Sequence, residues 1–379
     1  MRSPYRLKKL NHIFAVVPDC HNSSGYYRVL WSRHIYEGIR PWVKRLIIPD
    51  HVDFSWARQG HGIDLTPYAS NRAKASEQLW EQIRAAHGNH GLDAVISYCF
   101  AFDLDLQVVQ ETVRLGIPWV NFFCDSTQMF EKVEALARVV SLNWFPETAA
   151  ILNYQALGVP YLCQPYALNP DFLPDLTSRD SAGGVGFIGL PTTNRITQLG
   201  WLRLFGCPVD IRGHGWVGEG QNPFYNPVTR SKRFWKSLFA RGLVEKILRR
   251  AFWPFVRQRA QGPLSDEGFG EFVRARRVIL GLNQGIDAQG RLASYLKFRD
   301  VEFPGYGCCY LTEHNADVEA VFEVGEEILT YRNMWEAGEQ LRRMEREPKR
   351  ASRIGYNGRE RVLATHTWEN RLRQLAEKL

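Results

Sequence analysis

Short apolar segments rich in β-branched and aromatic residues alternate along the chain with longer, more polar stretches. In the first half these segments lie at residues 12–17, 43–49, 93–100 and 117–123. Their length and composition predict buried strands, and the polar stretches between them are long enough to hold helices. Strands that alternate with helices in this way indicate a parallel sheet covered by helices.

The alternation begins again in the second half, after a polar segment at 174–184 that is rich in turn-forming residues. That segment predicts a linker. Further strands are predicted at 185–190, 208–216, 277–283, 308–313 and 326–331. We therefore expect an α/β protein with two Rossmann-like domains, each a doubly wound parallel sheet, that face each other across a cleft.

The composition is that of a globular protein. The chain has 379 residues, of which 45% are hydrophobic and 23% charged, which is enough for two domains with separate cores. It has no run of eighteen apolar residues, and its start has no small-residue cleavage site, so neither a membrane span nor a signal peptide is predicted. Seven scattered cysteines without zinc spacing are typical of a reducing compartment, so we expect a cytoplasmic protein.

Ligands of such sheets bind beyond the carboxyl ends of the strands, so the loops that follow the strands are the candidate sites. In the loop after the first strand, Ser23, Ser24 and Gly25 predict a tight turn with backbone amides at a helix start. Amides in this position favour anions and hydroxyls. A simple helix cap is the alternative.

Two loops of the second half carry cations beside glycines. After Gly189, Arg195 falls in the first turn of a predicted helix, where a cation is unfavourable unless an anion lies nearby. In the loop 211–220, Arg212 and His214 alternate with glycines that would let a flat ring or a diphosphate approach the backbone. The alternatives are a solvated arginine and a structural histidine.

The segment "LKFRDVEFPGYGCCYLTEHN", residues 296–315, combines charged residues with glycines. We expect Gly305 and Gly307 to interrupt the chain just before the strand predicted at 308–313. The residues that lead up to this interruption include Lys297, Arg299 and Glu302. A guanidinium suits phosphate oxygens, and a carboxylate accepts hydrogen bonds from two vicinal hydroxyls. The alternative is a salt bridge between residues three apart on one helix face.

From 296 to 371 the chain closely resembles the C-terminal part of the CgeB-like, spore-maturation-type glycosyltransferases, relatives of the retaining GT-B families. The resemblance lies in "LKFRDVEFPGYGCCYLTEHNADVEAVFEVGEEILTYRN" and "RIGYNGRERVLATHTWENR", and more weakly in "GFIG...R", "RGHGW" and "VPYLCQPYALNP". It implies a GT-B fold whose last helix, 365–379, returns to pack on the first domain. The predicted domains are then 1–175 with that helix, and 183–364.

The resemblance also implies roles for the charged residues. Glu302 would hold the ribose of a nucleotide-sugar donor, and Arg299 would face its diphosphate. Many retaining relatives carry a second glutamate eight positions earlier, where this chain has Ser294. We expect Arg299 and Arg195 to stabilise the leaving diphosphate without a metal, because the "DLD" at 103–105 is explained by helix capping. No cofactor beyond the donor is expected.

The acceptor is expected on the first domain, where polar residues follow the strands. Among them, Asp19, His21 or Asp125 would act as the base if the reaction inverts. If the reaction retains the anomeric configuration, as in the retaining relatives, these residues would only position the acceptor hydroxyl. The expected acceptor residues, with Asp19 also a candidate for catalysis, are Asp19, His21, Ser23, Ser24, Gly25, Arg28 and Asp125.

The net charge of +8 is concentrated in one segment, 230–259, which has ten lysines and arginines against Glu245 alone. Aromatic residues interleave with these cations, which predicts an amphipathic helix within an insertion at 228–262. Such a helix suits the surface of an anionic membrane and a lipid-linked acceptor. The alternative is a segment that packs on its own domain. No nucleic-acid-binding module accompanies the charge.

The leading prediction is therefore a glycosyltransferase that transfers a sugar from a nucleotide sugar to a glycan, lipid-linked or other hydroxyl acceptor. A sugar-nucleotide epimerase of the same fold is one alternative. The other is a protein that binds a sugar nucleotide or glycan without turnover, which Ser294 would favour.

Overall fold

The computed structural model describes residues 10–18, 30–54, 68–174, 183–217, 247–286 and 292–379. The chain divides into two compact units. The first unit comprises Met1–Asn169 and His366–Leu379, and the second comprises Pro170–Thr365.

The first unit is built on a six-stranded sheet in the order β2-β1-β3-β4-β5-β6, in which every paired strand is parallel. The central strands are apolar and buried, as expected for a sheet covered on both faces. The strands are β1 His12–Val16, β2 Arg45–Ile47, β3 Ala94–Ser97, β4 Trp119–Phe122, β5 Leu142–Phe145 and β6 Tyr161–Cys163.

Helices connect these strands and cover the sheet. Their apolar faces pack on the strands around a core that includes Phe14, Leu79, Val95, Val109 and Trp119. The helices are α1 Leu30–Ile39, α2 Ala69–His90, α3 Leu106–Arg114, α4 Ser126–Met129, α5 Glu134–Ala137, α6 Ile151–Leu157 and, from the end of the chain, α14 Trp368–Lys378.

The last helix, α14, is joined to the first unit by packing and hydrogen bonds. Trp368 packs on α1, where a Cβ at Gly38 would lie 2.0 Å from its indole. The fully buried guanidinium of Arg371 donates to the carbonyl of Pro165 at 2.7 Å. Burial lowers the pKa of Arg371 to about 10.

The second unit has its own six-stranded sheet in the order β14-β13-β10-β7-β8-β9, again with parallel pairing throughout. From β7 the chain moves outward to β8 and β9, and it then returns to the other side with β10. The strand order therefore reverses between β7 and β10. The strands are β7 Val185–Ile188, β8 Val209–Arg212, β9 Ala260–Gln261, β10 Val278–Leu280, β13 Cys309–Glu313 and β14 Leu329–Tyr331.

A two-stranded antiparallel pair, β11 Gly285–Ile286 with β12 Leu292–Ala293, follows β10. The second core lies between the sheet and the surrounding helices, and it includes Phe187, Leu199, Ile211, Leu280 and Leu311. The helices are α7 Thr193–Leu204, α8 at 247–257, α9 Asp266–Ala275, α10 Phe298–Gly305, α11 Ala316–Val321, α12 Met334–Arg346 and α13 Pro348–Thr365.

Helix α8 is the described part of the basic segment, of which residues 230–246 lie outside the described residues. Phe252 enters the second core and is so close to α7 that a Cβ at Gly200 would lie 2.2 Å from its ring. Leu248 and Trp253 pack against the same core, and Trp253 stacks on Trp216 at 5.8 Å. In α8, these three apolar side chains therefore pack on their own unit, as in the alternative given for this segment, and membrane binding by 230–259 stays a prediction.

The predicted fold class is confirmed, because both halves form parallel α/β sheets. The sequence did not predict β5, β6, β9 or the β11–β12 pair. Within the described part of the chain, no helix combines the length and apolarity needed to cross a membrane.

Candidate functional site

The carboxyl edge of the second sheet has the features of a ligand site at the point where the strand order reverses. Helix α7 begins here, after the single short loop 189–192 that follows β7, with Thr192 as its N-cap: the Thr192 hydroxyl accepts from the Arg195 amide at 3.3 Å. Asn194, next in the first turn, donates to the side chain of Gln284 beyond β10 at 3.1 Å. The start of α7 therefore spans the gap between β7 and β10.

The two arginines that were predicted to face the diphosphate form hydrogen bonds at the same edge of the sheet. Arg195 donates from Nε to the Leu282 carbonyl at 3.1 Å and from Nη1 to the Leu190 carbonyl at 3.3 Å. Arg299, in the first turn of α10, donates from Nη1 to the Ile188 carbonyl at 3.1 Å. Since Ile188 and Leu190 are two residues apart, the fold brings these guanidinium groups to one short segment. Both side chains are half-buried.

Glycines allow the loop after β8 to pack closely on the end of β7. Gly213 has φ 146°, and a Cβ there would lie 2.3 Å from the Gly189 carbonyl oxygen. The buried indole of Trp216 donates to that same oxygen at 2.6 Å. His214 lies between these contacts in a half-buried turn. The end of β7 at Gly189 and the loop that contains His214 therefore lie close together at the carboxyl edge.

The Arg212 side chain has a different position from the two edge arginines. It lies on the sheet face covered by α9, with its guanidinium 5.5 Å from the ring centre of Phe272. Burial, followed by the nearby charge of Arg276, lowers the pKa of Arg212. Its backbone carbonyl accepts from the Gly189 amide at 2.9 Å, so Arg212 contributes to this edge mainly through its main chain.

Helix α10 separates residues that were predicted to act together. Lys297 is its N-cap and lies 3.8 Å above the Tyr295 ring, and Glu302 follows one turn after Arg299 and is buried. Gly305 is the last residue of the helix, and Gly307 turns the chain with φ 76° into the amino end of β13. The expected break before β13 is therefore present at Gly307 but not at Gly305, which α10 includes as its last residue. These two glycines lie at the opposite end of the helix from Arg299.

A buried polar network lies behind the edge arginines and was missed at the sequence level. Its centre is Asp300, which is 0% exposed. Asp300 Oδ1 accepts from Asn283 Nδ2 at 2.7 Å, from the Tyr310 hydroxyl at 2.9 Å and from the Thr312 hydroxyl at 3.1 Å. Its Oδ2 accepts from the Lys297 amide at 2.7 Å, and burial raises the pKa of Asp300 to about 6.

A second carboxylate, Glu313 at the end of β13, extends this network. Its carboxylate accepts from the backbone N–H of Asn283 at 2.7 Å and from the backbone N–H of Gln284 at 3.4 Å. Burial raises the pKa of Glu313. Asn283 and Glu313 are the last residues of the strands predicted at 277–283 and 308–313, so their positions in the sequence indicated the carboxyl edge of the sheet. Asp300 carried no such signal, because it lies within a helix.

On the first unit, Asp125 follows β4 in the left-handed conformation with φ 67°, which is uncommon outside glycine. The fully buried Glu147 stabilises this turn: its carboxylate accepts from the Asp125 amide at 2.6 Å and from the Thr127 amide at 3.0 Å. The other predicted acceptor residues lie outside the described residues, namely Asp19, His21, Ser23, Ser24, Gly25 and Arg28.

The acidic residues of the "DLD" segment have partners within the first unit. Asp103 accepts from the Phe100 amide at 2.8 Å, and Asp105 forms an ion pair with Arg72 at 2.8 Å. Among the described residues, no group of three or more histidine, cysteine, aspartate and glutamate side chains has an arrangement that could hold a metal ion.

Comparison with known proteins relates this architecture to glycosyltransferases. Residues 206–377 match a protein-family model described as "Glycosyl transferase-like". No curated protein sequence matches the chain. The family model is broader than the CgeB-like group, and that narrower assignment stays a prediction.

The matches to solved structures extend over both units. Sucrose-phosphate synthase from Thermosynechococcus elongatus is similar over 97% of this chain and 98% of its own, with a TM-score of 0.59 and 13% identity. HepE from Anabaena, in complex with UDP, is similar over 97% of this chain and 98% of its own, with a TM-score of 0.57 and 11% identity. A glycosyltransferase from Rickettsia africae covers 97% of each chain with a TM-score of 0.57 and 10% identity. At these identities the similarity shows the fold, which is GT-B.

Proposed function

We propose that the chain is a glycosyltransferase that binds a nucleotide-sugar donor at the carboxyl edge of its second sheet. One observation carries the proposal. Arg195 and Arg299 lie in the first turns of two different helices, and both donate hydrogen bonds to backbone carbonyls of one short segment, Leu190 and Ile188. The family match of residues 206–377 and the GT-B fold support this activity. The HepE structures with UDP and with UDP-glucose support this class of donor.

The proposed chemistry is the departure of a nucleoside diphosphate from the anomeric carbon of the sugar. Negative charge grows on the outer phosphate as this bond breaks. Arg195 and Arg299 lie at the starts of α7 and α10, where backbone amides also favour an anion. Preorganised cations of this kind stabilise the leaving group without rearrangement at the moment of reaction. We propose that they take the role that a metal has in other transferases.

Glu302 is proposed to accept hydrogen bonds from the ribose hydroxyls of the donor. It is 5% exposed and lies one turn after Arg299 in α10, so the two side chains project from neighbouring positions on one side of the helix. A carboxylate with so little exposure recognises hydroxyls strongly once a ligand removes the remaining water. Gly189 and the turn at His214 are proposed to contact the donor through main-chain groups.

We propose Asp125 as the acceptor-positioning residue on the first unit. Its left-handed backbone, held by Glu147, follows a strand of the first sheet at the edge where acceptors are expected. With Ser294 in place of a glutamate, we propose a reaction that retains the anomeric configuration without a protein nucleophile: the acceptor oxygen bonds to the anomeric carbon as the bond to the phosphate oxygen breaks on the same face, and the hydroxyl proton passes to the leaving phosphate. NMR of the newly formed glycosidic bond tests this: an inverted anomer would contradict it.

The proposed function is tested by a binding and turnover screen of the purified chain. Melting temperatures are measured with UDP-glucose, ADP-glucose, GDP-mannose and dTDP-glucose, and release of the nucleoside diphosphate is followed in the absence of acceptor. We expect one donor to stabilise the chain, and Arg299→Ala to weaken its binding about tenfold or more, since a charge-assisted hydrogen bond contributes about 1.5–3 kcal/mol.

The matched control is Arg343→Ala, which removes an exposed arginine from α12 of the same unit, where it pairs with Glu347. This variant should bind the donor as the wild type does. Unchanged donor binding in Arg299→Ala and Glu302→Ala would exclude the proposed donor site.

One alternative function has support from a specific position. Ser294 stands where retaining relatives carry a glutamate, and its hydroxyl accepts from Asn315 at 3.3 Å. A chain that binds a sugar nucleotide without turnover is therefore the second candidate. Tight binding without release of nucleoside diphosphate, alone or with glycan acceptors, would favour it.

A further inference from the structure

Asp300 is a buried carboxylate that lies between the two α10 residues proposed to contact the donor. It is the third residue of the helix, directly after Arg299 and two residues before Glu302, and solvent does not reach its side chain. A carboxylate in this position costs free energy unless hydrogen bonds replace its water. The proposed roles of Arg299 and Glu302 do not account for it.

The hydrogen bonds of Asp300 join three elements. Oδ1 accepts from Asn283, which follows β10, and from the hydroxyls of Tyr310 and Thr312 on β13, at 2.7–3.1 Å. Oδ2 accepts from the amide of Lys297 at 2.7 Å, which closes the first turn of α10. One carboxylate therefore links the carboxyl ends of two strands to the start of the helix that carries Arg299.

A guanidinium stabilises a leaving phosphate only when its position is fixed to within a fraction of an ångström. Arg299 is covalently next to Asp300, and it reaches across to the Ile188 carbonyl at 3.1 Å. The backbone from which it projects is the turn that Asp300 closes. We propose that Asp300 is a positioning residue of the donor site, which holds the first turn of α10 so that Arg299 meets the diphosphate in one geometry. This inference rests on the proposed function.

Proton uptake by Asp300 should loosen this arrangement. Its Oδ1 faces three donors, so a protonated carboxyl has no acceptor there for its own hydrogen unless the network rearranges. Burial places the pKa of Asp300 at about 6, within reach of an ordinary experiment. The titratable and charged groups around it are Lys297 and Arg299 of α10, Tyr310 and Glu313 of β13, and Tyr331 of β14.

The substitution Asp300→Asn tests the positioning role at nearly constant volume. An amide has one oxygen, so whichever way it turns, its NH₂ faces either the donors of the strands or the Lys297 amide. Thr312→Val is the milder variant, because it removes one hydroxyl from Asp300 and leaves the carboxylate in place. The matched control is Glu327→Gln, ahead of the amino end of β14, which weakens an ion pair in which Arg361 Nε lies 2.9–3.0 Å from both carboxylate oxygens of Glu327.

The affinity of the best-bound of the four nucleotide sugars is measured by titration calorimetry at pH 7.5 and pH 5.5. Sugar nucleotides are diphosphate diesters and lack the phosphate ionisation near pH 6 that free UDP has. We expect the wild type to bind about threefold or more weakly at pH 5.5, and Asp300→Asn to bind about tenfold or more weakly than the wild type at pH 7.5, with little further change at pH 5.5. Thr312→Val should give an intermediate loss.

The controls separate positioning from stability and from other titrating groups. Glu327→Gln should melt at a lower temperature and yet bind the donor as the wild type does. His214→Gln should show the same pH dependence of donor affinity as the wild type, which would exclude the imidazole in the loop after β8 as its source. The positioning role would be overturned if Asp300→Asn bound the donor within twofold of the wild-type affinity, or if it lost no more donor affinity than Glu327→Gln does. A wild type that binds none of the four donors would instead overturn the proposed function.

Discussion

The pH dependence of stability offers a direct check on the buried network, independent of any ligand. Asp300 has a pKa of about 6 in the folded chain, against an ordinary value of 3.8. The folded state therefore binds a proton at this carboxyl more tightly than the unfolded state does. Its contribution to stability is fully present below pH 3.8 and is lost as the pH rises through 6.

The difference of about two pKa units corresponds to about 3 kcal/mol over the whole range. Between pH 5.0 and pH 7.5, where the chain is easier to study, the linkage relation gives about 1–2 kcal/mol. Because the group is fully buried, solvent does not screen this effect. Asp300→Asn lacks the ionisation, so its stability relative to the wild type should change with pH by this amount.

The assay is urea unfolding of the wild type and of Asp300→Asn, followed by tryptophan fluorescence at pH 5.0, 6.0 and 7.5. Subtracting the two free energies of unfolding cancels the titration of groups that both chains share. We predict that the free energy of unfolding of the wild type rises by about 1–2 kcal/mol relative to that of the variant as the pH falls from 7.5 to 5.0. A difference that stays constant with pH, or that moves in the opposite direction, would refute the reasoning.

Three further substitutions test other parts of the account. Gly213→Ala, whose Cβ would meet the Gly189 oxygen at 2.3 Å, should lower the unfolding free energy by about 2 kcal/mol and weaken donor binding; a chain of wild-type stability would contradict this contact. Glu147→Gln, at the Asp125 turn, should reduce transfer to acceptor about tenfold with donor affinity intact; an equal loss of both would argue against an acceptor role. Arg371→Met should cost about 3 kcal/mol in urea unfolding, since it leaves buried carbonyls without their donor; a loss below 1 kcal/mol would be inconsistent.

The architecture was predictable because parallel strands buried on both faces appear as short apolar runs. A polar residue within a longer apolar run, such as Asn121 in 117–123, leaves the strand recognisable. In the short run of β5, Leu142–Phe145, Asn143 takes one of only four positions, and its side-chain amide is satisfied by the Ala137 carbonyl within the fold. β9 has only two residues and carries no pattern at all. Length and tertiary pairing, not local preference, decide such strands.

The candidate site was predictable only in part, for a related reason. Arg195 stood out because a cation at a helix start conflicts with the helix dipole, and Arg299 stood out because a guanidinium suits phosphate oxygens and because of the resemblance over 296–371. Asp300 is different, since its partners lie 10 to 17 residues away and only folding brings them together. Gly305 was misassigned because proline and glycine suggest a loop. Here Pro304 stays helical and packs beside Gly358 of α13, where a Cβ would lie 3.3 Å away.

The most direct measurement is a crystal structure of the chain with the nucleotide sugar that stabilises it best. The account predicts phosphate oxygens within hydrogen-bond distance of Arg195 or Arg299, and ribose hydroxyls at Glu302, at the carboxyl edge of the second sheet. A donor bound elsewhere on the chain, with all three side chains beyond its reach, would contradict the account.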